Sequence, residues 1–206
     1  MQIGHLKIRP FVVTLQELPE KEKFIMEHFK SVGLQAECFN GLHGVTAGLR
    51  TVYPYERDAP GSGWNVGIKP VATWVSFWAL WSAMSYMPET HFMQLEWDSK
   101  FPTDWRVRTE AALRDVPQDF DMLYIGSCCT DGQNKKQVKG EVWSGILPQC
   151  GHGIIIAKKA LPVILKTQRK IYAPLDISLL LHTLPLLKVF TVLPRIVSQF
   201  NTDIPI

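Results

Sequence analysis

Short apolar runs alternate along the chain with segments whose apolar residues recur at helical spacing. Strands are predicted at 11–15, 35–39, 92–95, 121–126 and 188–193, and a strand pair at Trp143 and 151–157. Helices are predicted at 18–32, 71–86, 104–114, 158–168 and 177–182. Because strands that alternate with helices build βαβ units, the pattern predicts an α/β domain with a mostly parallel central sheet flanked by helices.

The helix predicted at 71–86 has a very bulky aromatic face. Its aromatic residues follow the i, i+3, i+4, i+7 spacing and are Trp74, Phe77, Trp78 and Trp81. Such a face could form a platform that stacks on carbohydrate. At this spacing, a core helix that packs against the sheet is the favoured interpretation.

The apolar run 92–95 stops at two carboxylates one residue apart, Glu96 and Asp98. The run predicts a short buried strand, and open α/β sheets bind ligands at the carboxyl ends of their strands. Residues i and i+2 of a strand share a face, so these acids could bind Mg²⁺ or Mn²⁺ together. The alternative is a strand end with two solvated acids. Trp97, between them, is predicted to pack against the aromatic helix.

The length of the chain bears on the number of its domains, and its net charge bears on whether it binds nucleic acid. The chain has 206 residues and a net charge of +3. This length is enough for one well-filled core, so a single domain over 1–206 is predicted, whether alone or within a longer protein. A charge this small does not favour nucleic acid as a partner, because such partners need a dense basic face.

The cysteines and the apolar tracts indicate the cellular compartment in which the protein is expected. The four cysteines show no C-x-x-C spacing and are Cys38, Cys128, Cys129 and Cys150. They are predicted to be reduced thiols of an intracellular protein. Arg9 and Pro10 interrupt the N-terminus before the apolar core of a signal peptide could form. The tract 171–197 contains charged residues and prolines, which argues against a membrane span, so a soluble, cytoplasmic protein is expected.

Two further features allow more than one interpretation. The segment 44–67 lacks periodicity, and its Tyr53 and Trp64 could stack on a sugar or, as we favour, anchor the loop. His152 lies between two glycines and could face a site, although a lone histidine is more often structural.

In chain order these landmarks resemble the family 25 glycosyltransferases, which include lipooligosaccharide and collagen galactosyltransferases. The family's Leu-Glu-Asp-Asp strand end is matched by Leu95 to Asp98, its Asp-x-Ile-Tyr-Leu-Gly strand by 121–126, and its Pro-x-Asp by 174–176. Its opening strand and turn are matched by 11–15 and 39–41, and its closing segments by 151–165, Pro194 and 199–204. The chain departs from the pattern with Thr14 for Asn, Thr73-Trp74 for Ser-His, and Trp97 within the acidic motif.

The resemblance implies a GT-A-type, Rossmann-like domain that acts as a metal-dependent glycosyltransferase. The implied donor is a nucleotide sugar, UDP-linked, and the implied acceptor is a hydroxyl of a glycan or glycoprotein. Asp98 is the first choice for a ligand of Mn²⁺ or Mg²⁺, followed by Glu96, with Asp203 as a third contact. By fold analogy, Thr14 and Leu15 would border the nucleotide.

Catalysis in the resembled family inverts the sugar's anomeric configuration, which requires a base for the acceptor hydroxyl. Asp176 is the candidate base, and its alternative is a helix N-cap, a position that Asp favours. Lys69 could contact phosphate or simply begin a helix.

A non-catalytic nucleotide- or sugar-binding domain on a degenerate transferase scaffold is the competing interpretation. The replacement of Ser-His by Thr73-Trp74 favours it. An oxidoreductase of the Rossmann class is less favoured, because no G-x-G-x-x-G follows the first strand.

Overall fold

The computed structural model describes residues 1–15, 18–43, 68–128, 134–171 and 173–200. Within these ranges the α-helices are α1 (Pro19–Ser31), α2 (Ile68–Tyr86), α3 (Trp105–Asp115), α4 (Leu161–Thr167) and α5 (Leu175–His182). The strands are β1 (Gln2–Ile3), β2 (Leu6–Leu15), β3 (Glu37–Gly41), β4 (His91–Glu96), β5 (Ser99–Lys100), β6 (Met122–Gly126), β7 (Lys136–Lys139), β8 (Val142–Ser144), β9 (Gly153–Ala157), β10 (Val189–Val192) and β11 (Ser198–Gln199). The predicted contacts of the segment 44–67 and of Asp203 lie outside the described residues.

The main sheet has the strand order β1-β2-β4-β9-β6-β10-β8-β7, and β3 also pairs with the long strand β2. Strand β2 runs parallel to β3 and β4, and β6 runs parallel to β10. Strand β9 lies antiparallel between β4 and β6, and β8 is antiparallel to β10. The α/β prediction is confirmed, but the sheet is mixed rather than mostly parallel. Local periodicity identifies a strand without fixing the direction of its partners.

The sheet separates two apolar clusters, so the domain has three layers. On one face, α1 and α3 pack through Phe29 and Trp105 against residues such as Met93 and Leu95 of β4. On the other face, α2, α4 and α5 pack against residues such as Phe92. This alternation along β4 directs Gln94 and Glu96 towards the α2 face as well.

The aromatic face of α2 is a core face, as favoured from its spacing. Trp74, Phe77 and Trp81 are at most 4% exposed and belong to the cluster beneath the sheet. Trp78 packs beside them and is stacked on Trp74, with ring centroids 6.4 Å apart. These rings are therefore not a carbohydrate platform.

Two local predictions differ from the structure in the region before β9. Residues 136–139, where the sequence pattern predicts no element, form β7, an edge strand whose four residues are exposed. The strand at Trp143, β8, pairs with β7 and β10 rather than with β9. An exposed strand of polar residues lacks the apolar alternation on which strand prediction depends.

The prediction that all cysteines are reduced is wrong, because Cys128 and Cys150 form a disulfide. Cys128 follows the end of β6, and Cys150 precedes the start of β9. Because β6 and β9 are antiparallel neighbours, these two ends meet, with the Cα atoms 5.7 Å apart. Cys38 is a free, half-buried cysteine, and Cys129 lies outside the described residues.

Among the described helices, none combines the length and the apolar character needed to cross a membrane.

Candidate functional site

The carboxyl ends of β2 and β4 lie side by side, with Val13 in register with Glu96. Two cavities meet at this edge of the sheet, as expected for a ligand site of an α/β fold. The larger has a volume of about 840 Å³ and the smaller about 320 Å³.

The larger cavity lies between the ends of β2 and β4 and the first turns of α1 and α2. Its polar and charged lining residues are Thr14, Lys21, Glu22, His43, Lys69, Thr73, Ser76, Glu96 and Asp98. Leu15, Leu18 and Trp97 are among its apolar lining residues. The predicted nucleotide contacts, Thr14 and Leu15, thus share one cavity with two of the three predicted metal ligands, Glu96 and Asp98.

The smaller cavity lies between β4, the residues before β9 and the start of α5. Its lining includes Gln94, Glu96, Cys150, Gly151 and Asp176, with Pro174, Leu175 and Leu179 as an apolar wall. Lys69, Pro70, Thr73 and Glu96 line both cavities. Glu96 is therefore the carboxylate at their junction.

The two strand-end acids, Glu96 and Asp98, are hydrogen-bonded to the same side-chain amide, that of Gln199. Gln199 Nε2 donates to Asp98 Oδ2 at 3.1 Å and to Glu96 Oε2 at 3.4 Å. Gln199 reaches them because β11 pairs with β5, where Gln199 is in register with Ser99. Asp98 is 8% exposed, and its other oxygen, Oδ1, is buried with no hydrogen-bond partner. A buried carboxylate oxygen without a partner is costly, and a bound cation would satisfy it.

The turn between β4 and β5 is held by Ser99, which is fully buried. Its hydroxyl oxygen accepts the Glu96 amide at 3.1 Å and lies 2.7 Å from the Glu96 carbonyl oxygen. The same hydroxyl oxygen lies 2.6 Å from the carbonyl oxygen of His152. These contacts link the turn between Glu96 and Asp98 to His152, which directly precedes β9.

Burial raises the pKa of Glu96 to about 8, and the neighbouring Asp98 and Asp176 add to the rise. The backbone of Gly151 opposes it by hydrogen bonding to the charged form. Glu96 borders both cavities and is only half-buried by surface area, yet protein atoms surround it closely enough to disfavour its charge. Burial also raises the pKa of Asp98, against hydrogen bonds from its own backbone amide and from Gln199.

Glu96 and Asp98 together could supply two oxygen ligands to a hard divalent cation, which is fewer than a complete set. Within the described ranges, no group of three or more His, Cys, Asp or Glu side chains could hold a metal ion. Mg²⁺ sites commonly use one or two carboxylates and take their other oxygens from substrate phosphates and water. The donor set present here, two carboxylates beside a cavity of about 840 Å³, is compatible with that kind of site.

Asp176 lies at the smaller cavity, in the first turn of α5. Its Oδ2 accepts the amide of Cys150 at 3.3 Å, and its Oδ1 accepts the amide of Ile177 at 2.9 Å. The residue at the helix N-cap is Pro174, so the N-cap interpretation of Asp176 is wrong. The disulfide-linked segment thus helps to orient this carboxylate.

Trp97 does not pack against α2 as predicted. It lines the larger cavity, and the Lys21 Nζ atom lies 4.4 Å from its ring centroid. The cause is the turn at residues 97 and 98, which ends the strand alternation on which the prediction depended. Lys21 therefore joins Lys69 as a second cation of this cavity.

His152 is fully buried and borders neither of these two cavities. Burial, aided by Arg195, lowers its pKa to about 4, so the ring is neutral. These features favour the structural interpretation of this residue.

Sequence reasoning missed Gln94, Lys21 and Gly151. Gln94 lies within the apolar run 92–95, and its position two residues before Glu96 places it on the same face of the strand. That single polar residue in a buried strand was the available signal. Lys21 resembled any exposed charge of a first helical turn, and nothing in the sequence indicated its contact with Trp97.

No protein-family model matches the chain, and no curated protein matches it. Among solved structures, the chain is similar to the inositol-1-phosphate CTP transferase from T. maritima. The alignment covers 98% of this chain and 92% of that chain, with 12% sequence identity and a TM-score of 0.42. This degree of similarity does not assign a function to the chain.

Proposed function

We propose that the chain is a metal-dependent glycosyltransferase that transfers a sugar from a UDP-sugar to a hydroxyl of a glycan or glycoprotein. The observation that carries the proposal is the position of the two acids: Glu96 borders both cavities, and Asp98 borders the larger one. Asp98 also has a buried carboxylate oxygen without a partner. The sequence resemblance to family 25 glycosyltransferases supports the same activity.

The larger cavity suits the nucleotide diphosphate. Two cations, Lys21 and Lys69, border it together with three acids, Glu22, Glu96 and Asp98, and the lysines would donate to phosphate oxygens. Charge that develops on the leaving diphosphate would be neutralised by Mn²⁺ or Mg²⁺ held by Asp98 and Glu96. Thr14 and Leu15 border the same cavity and suit the nucleoside end.

The smaller cavity suits the acceptor. Asp176 borders it and would remove the proton from the attacking hydroxyl, as direct displacement with inversion requires. The amide of Cys150 orients this carboxylate. Glu96 borders both cavities, so the reacting atoms would meet beside it.

A non-catalytic binding domain is the second candidate. Thr73, which stands where the resembled family has Ser of its Ser-His pair, borders both cavities and brings no titratable group to them. Release of UDP from a donor separates the two candidates, because a binding domain would retain the donor intact.

The proposal is tested by incubating the protein with UDP-galactose, UDP-glucose and UDP-N-acetylglucosamine, with Mn²⁺ or with EDTA, and measuring released UDP. We expect release that needs the metal, and a fall of roughly 100-fold or more in Asp98→Asn, because a ligand charge is lost. Asp119→Asn, which changes an exposed acid that lines neither cavity, is the matched control. Metal-dependent release that persists at the wild-type rate in Asp98→Asn would overturn the metal assignment. Absence of release from every donor would favour the binding domain.

A further inference from the structure

Gln94 is a buried polar side chain in the middle of an apolar strand. It is 1% exposed, and its neighbours along β4, Met93 and Leu95, are fully buried in the opposite cluster. Burying an amide is costly unless its polar atoms are satisfied. The partners of its two ends therefore show what this side chain does.

The oxygen of Gln94 is bound by Trp81. The indole Nε1 donates to Gln94 Oε1 at 2.6 Å, and Trp81 is itself fully buried in α2. An indole N–H can only donate, so the partner atom must be the carbonyl oxygen of the amide. The orientation of the amide is thus set by chemistry, and its NH₂ group points the other way.

The NH₂ group of Gln94 faces the smaller cavity. A Cβ added at Gly151 would lie 3.3 Å from Gln94 Nε2 and 3.1 Å from Glu96 Oε1, so both atoms border the space over this glycine. No hydrogen bond from Nε2 is present among the described residues, whereas Oε1 has its partner. The cavity therefore contains an oriented donor that a ligand can satisfy.

The polar groups of the smaller cavity define the ligand that fits. Gln94 supplies a donor, while carboxyl oxygens of Glu96 and Asp176 supply acceptors. A hydroxyl group both donates and accepts, so adjacent hydroxyls can satisfy an amide and a carboxylate together. An anionic ligand would be repelled by the Asp176 carboxylate. The wall of Pro174, Leu175 and Leu179 suits the C–H face of a sugar ring.

We propose that the smaller cavity binds one neutral sugar ring, with the Gln94 amide donating to a ring hydroxyl and Trp81 positioning that amide. The inference rests on the proposed function for its role, since this ring would be the acceptor. Its binding chemistry depends only on the cavity, so it can be measured without nucleotide or metal.

The test uses NMR titration of the ¹⁵N-labelled protein, following the indole signal of Trp81 and the side-chain amide pair of Gln94. The probes are the methyl glycosides of galactose, glucose and mannose, with glucuronate as the anionic comparison, all without metal or nucleotide. We expect at least one neutral glycoside to shift both signals and to give a saturable curve, and glucuronate to bind more weakly. No shift with any neutral glycoside, or equal binding of glucuronate, would overturn the proposal.

Three variants separate positioning from general structure. Gly151→Ala fills the space beside Gln94 Nε2 and should abolish glycoside binding. Trp81→Phe keeps the ring but frees the amide, and should weaken binding about two- to tenfold, the value of one net hydrogen bond. Trp78→Phe is the matched control in the same helix, because its indole nitrogen is buried without a partner, and it should bind as wild type does.

Binding of UDP with Mn²⁺ at the larger cavity provides the second measurement. Trp81→Phe should leave that affinity unchanged, which a general loss of structure would not. Glycoside affinity that is unchanged in both Gly151→Ala and Trp81→Phe would overturn the role of Gln94. If glycosides bind as expected but no UDP-sugar is ever turned over, the proposed transferase activity fails and the sugar site stands.

Discussion

Glu96 is the side chain that connects the parts of the candidate site. Its carboxyl group and that of Asp98 both accept hydrogen bonds from the side-chain amide of Gln199. It also contacts the backbone of Gly151 and borders both cavities. A carboxylate in such surroundings is costly to ionise when no cation is nearby, which is the physical reason for its raised pKa. The same property makes it a good partner for a divalent cation, because the cation repays the cost of the charge.

The raised pKa of Glu96 predicts how stability depends on pH in the absence of metal. The pKa is about 8 in the folded protein against an ordinary value of 4.5, so the folded state holds a proton that the unfolded state loses first. Stability is therefore expected to fall as the pH rises from about 4.5 to about 8. Glu96→Gln, which cannot ionise, should show a flatter dependence, with a higher unfolding temperature than wild type at pH 8.

Unfolding temperatures of the two proteins between pH 5 and pH 9, measured in EDTA, check this expectation. Asp98, whose pKa is also raised by burial, will contribute slope of the same sign in both. Glu20→Gln changes an exposed glutamate of α1 and should track wild type. Parallel curves for wild type and Glu96→Gln would show that Glu96 is not protonated in the folded state.

At the scale of elements, one strand and one helix supply the two halves of the site. Side chains of a strand alternate between its two faces, so Gln94 and Glu96 of β4 both point to the side of the sheet on which α2 packs. Asp98 lies in the turn after β4 and borders the larger cavity. Helix α5 contributes Asp176 from a distant part of the sequence. The segment between the disulfide and β9 joins them, because the amide of Cys150 contacts Asp176 and Gly151 contacts Glu96.

Asp176→Asn is predicted to remove transfer while leaving α5 and donor binding intact. The asparagine oxygen can still accept the Cys150 amide, and the N-cap of α5 is Pro174, so the helix loses only a charge of its first turn. Such a charge contributes roughly 0.3–1 kcal/mol to the free energy of unfolding. Loss of a general base lowers the rate by about 10²–10⁴-fold.

Rates of transfer, donor affinity by calorimetry, and denaturant unfolding are measured together on this variant. Asp104→Asn, an exposed aspartate immediately before α3, is the matched control for a charge at a helix start. A large loss of stability with a proportional loss of donor binding would instead assign Asp176 a structural role.

At the scale of the whole molecule, the sequence predicted the elements better than their arrangement. Most helices and strands were found, because apolar periodicity reports local burial. The insertion of β9 between β4 and β6 could not be found in this way, since strand pairing is non-local. Glu96 and Asp98 were identified from their position after a buried strand, whereas the direction of Trp97 depended on a turn that alternation does not describe.

The disulfide is the long-range feature that sequence reasoning missed most completely. It joins Cys128 and Cys150 across 22 residues, and the closed loop contains β7 and β8. Their spacing carries no signal, because the pair is brought together only by the antiparallel contact of β6 with β9. Its consequence for the molecule lies in the unfolded chain, whose freedom the bond restricts.

Removing this bond is predicted to lower the free energy of unfolding by about 3 kcal/mol, the loop-closure value for a loop of this length. The double variant Cys128→Ser/Cys150→Ser should reproduce the stability of the reduced wild type and should not respond to dithiothreitol. Cys38→Ser, which removes a free cysteine, should keep the wild-type response. Urea unfolding of all three proteins, with and without reductant, makes the measurement.

Since the Cys150 amide orients Asp176, any transfer activity should fall further in the double variant than in Cys38→Ser, even well below the unfolding temperature. Equal reductant sensitivity of the double variant and the wild type would show that this bond does not stabilise the fold.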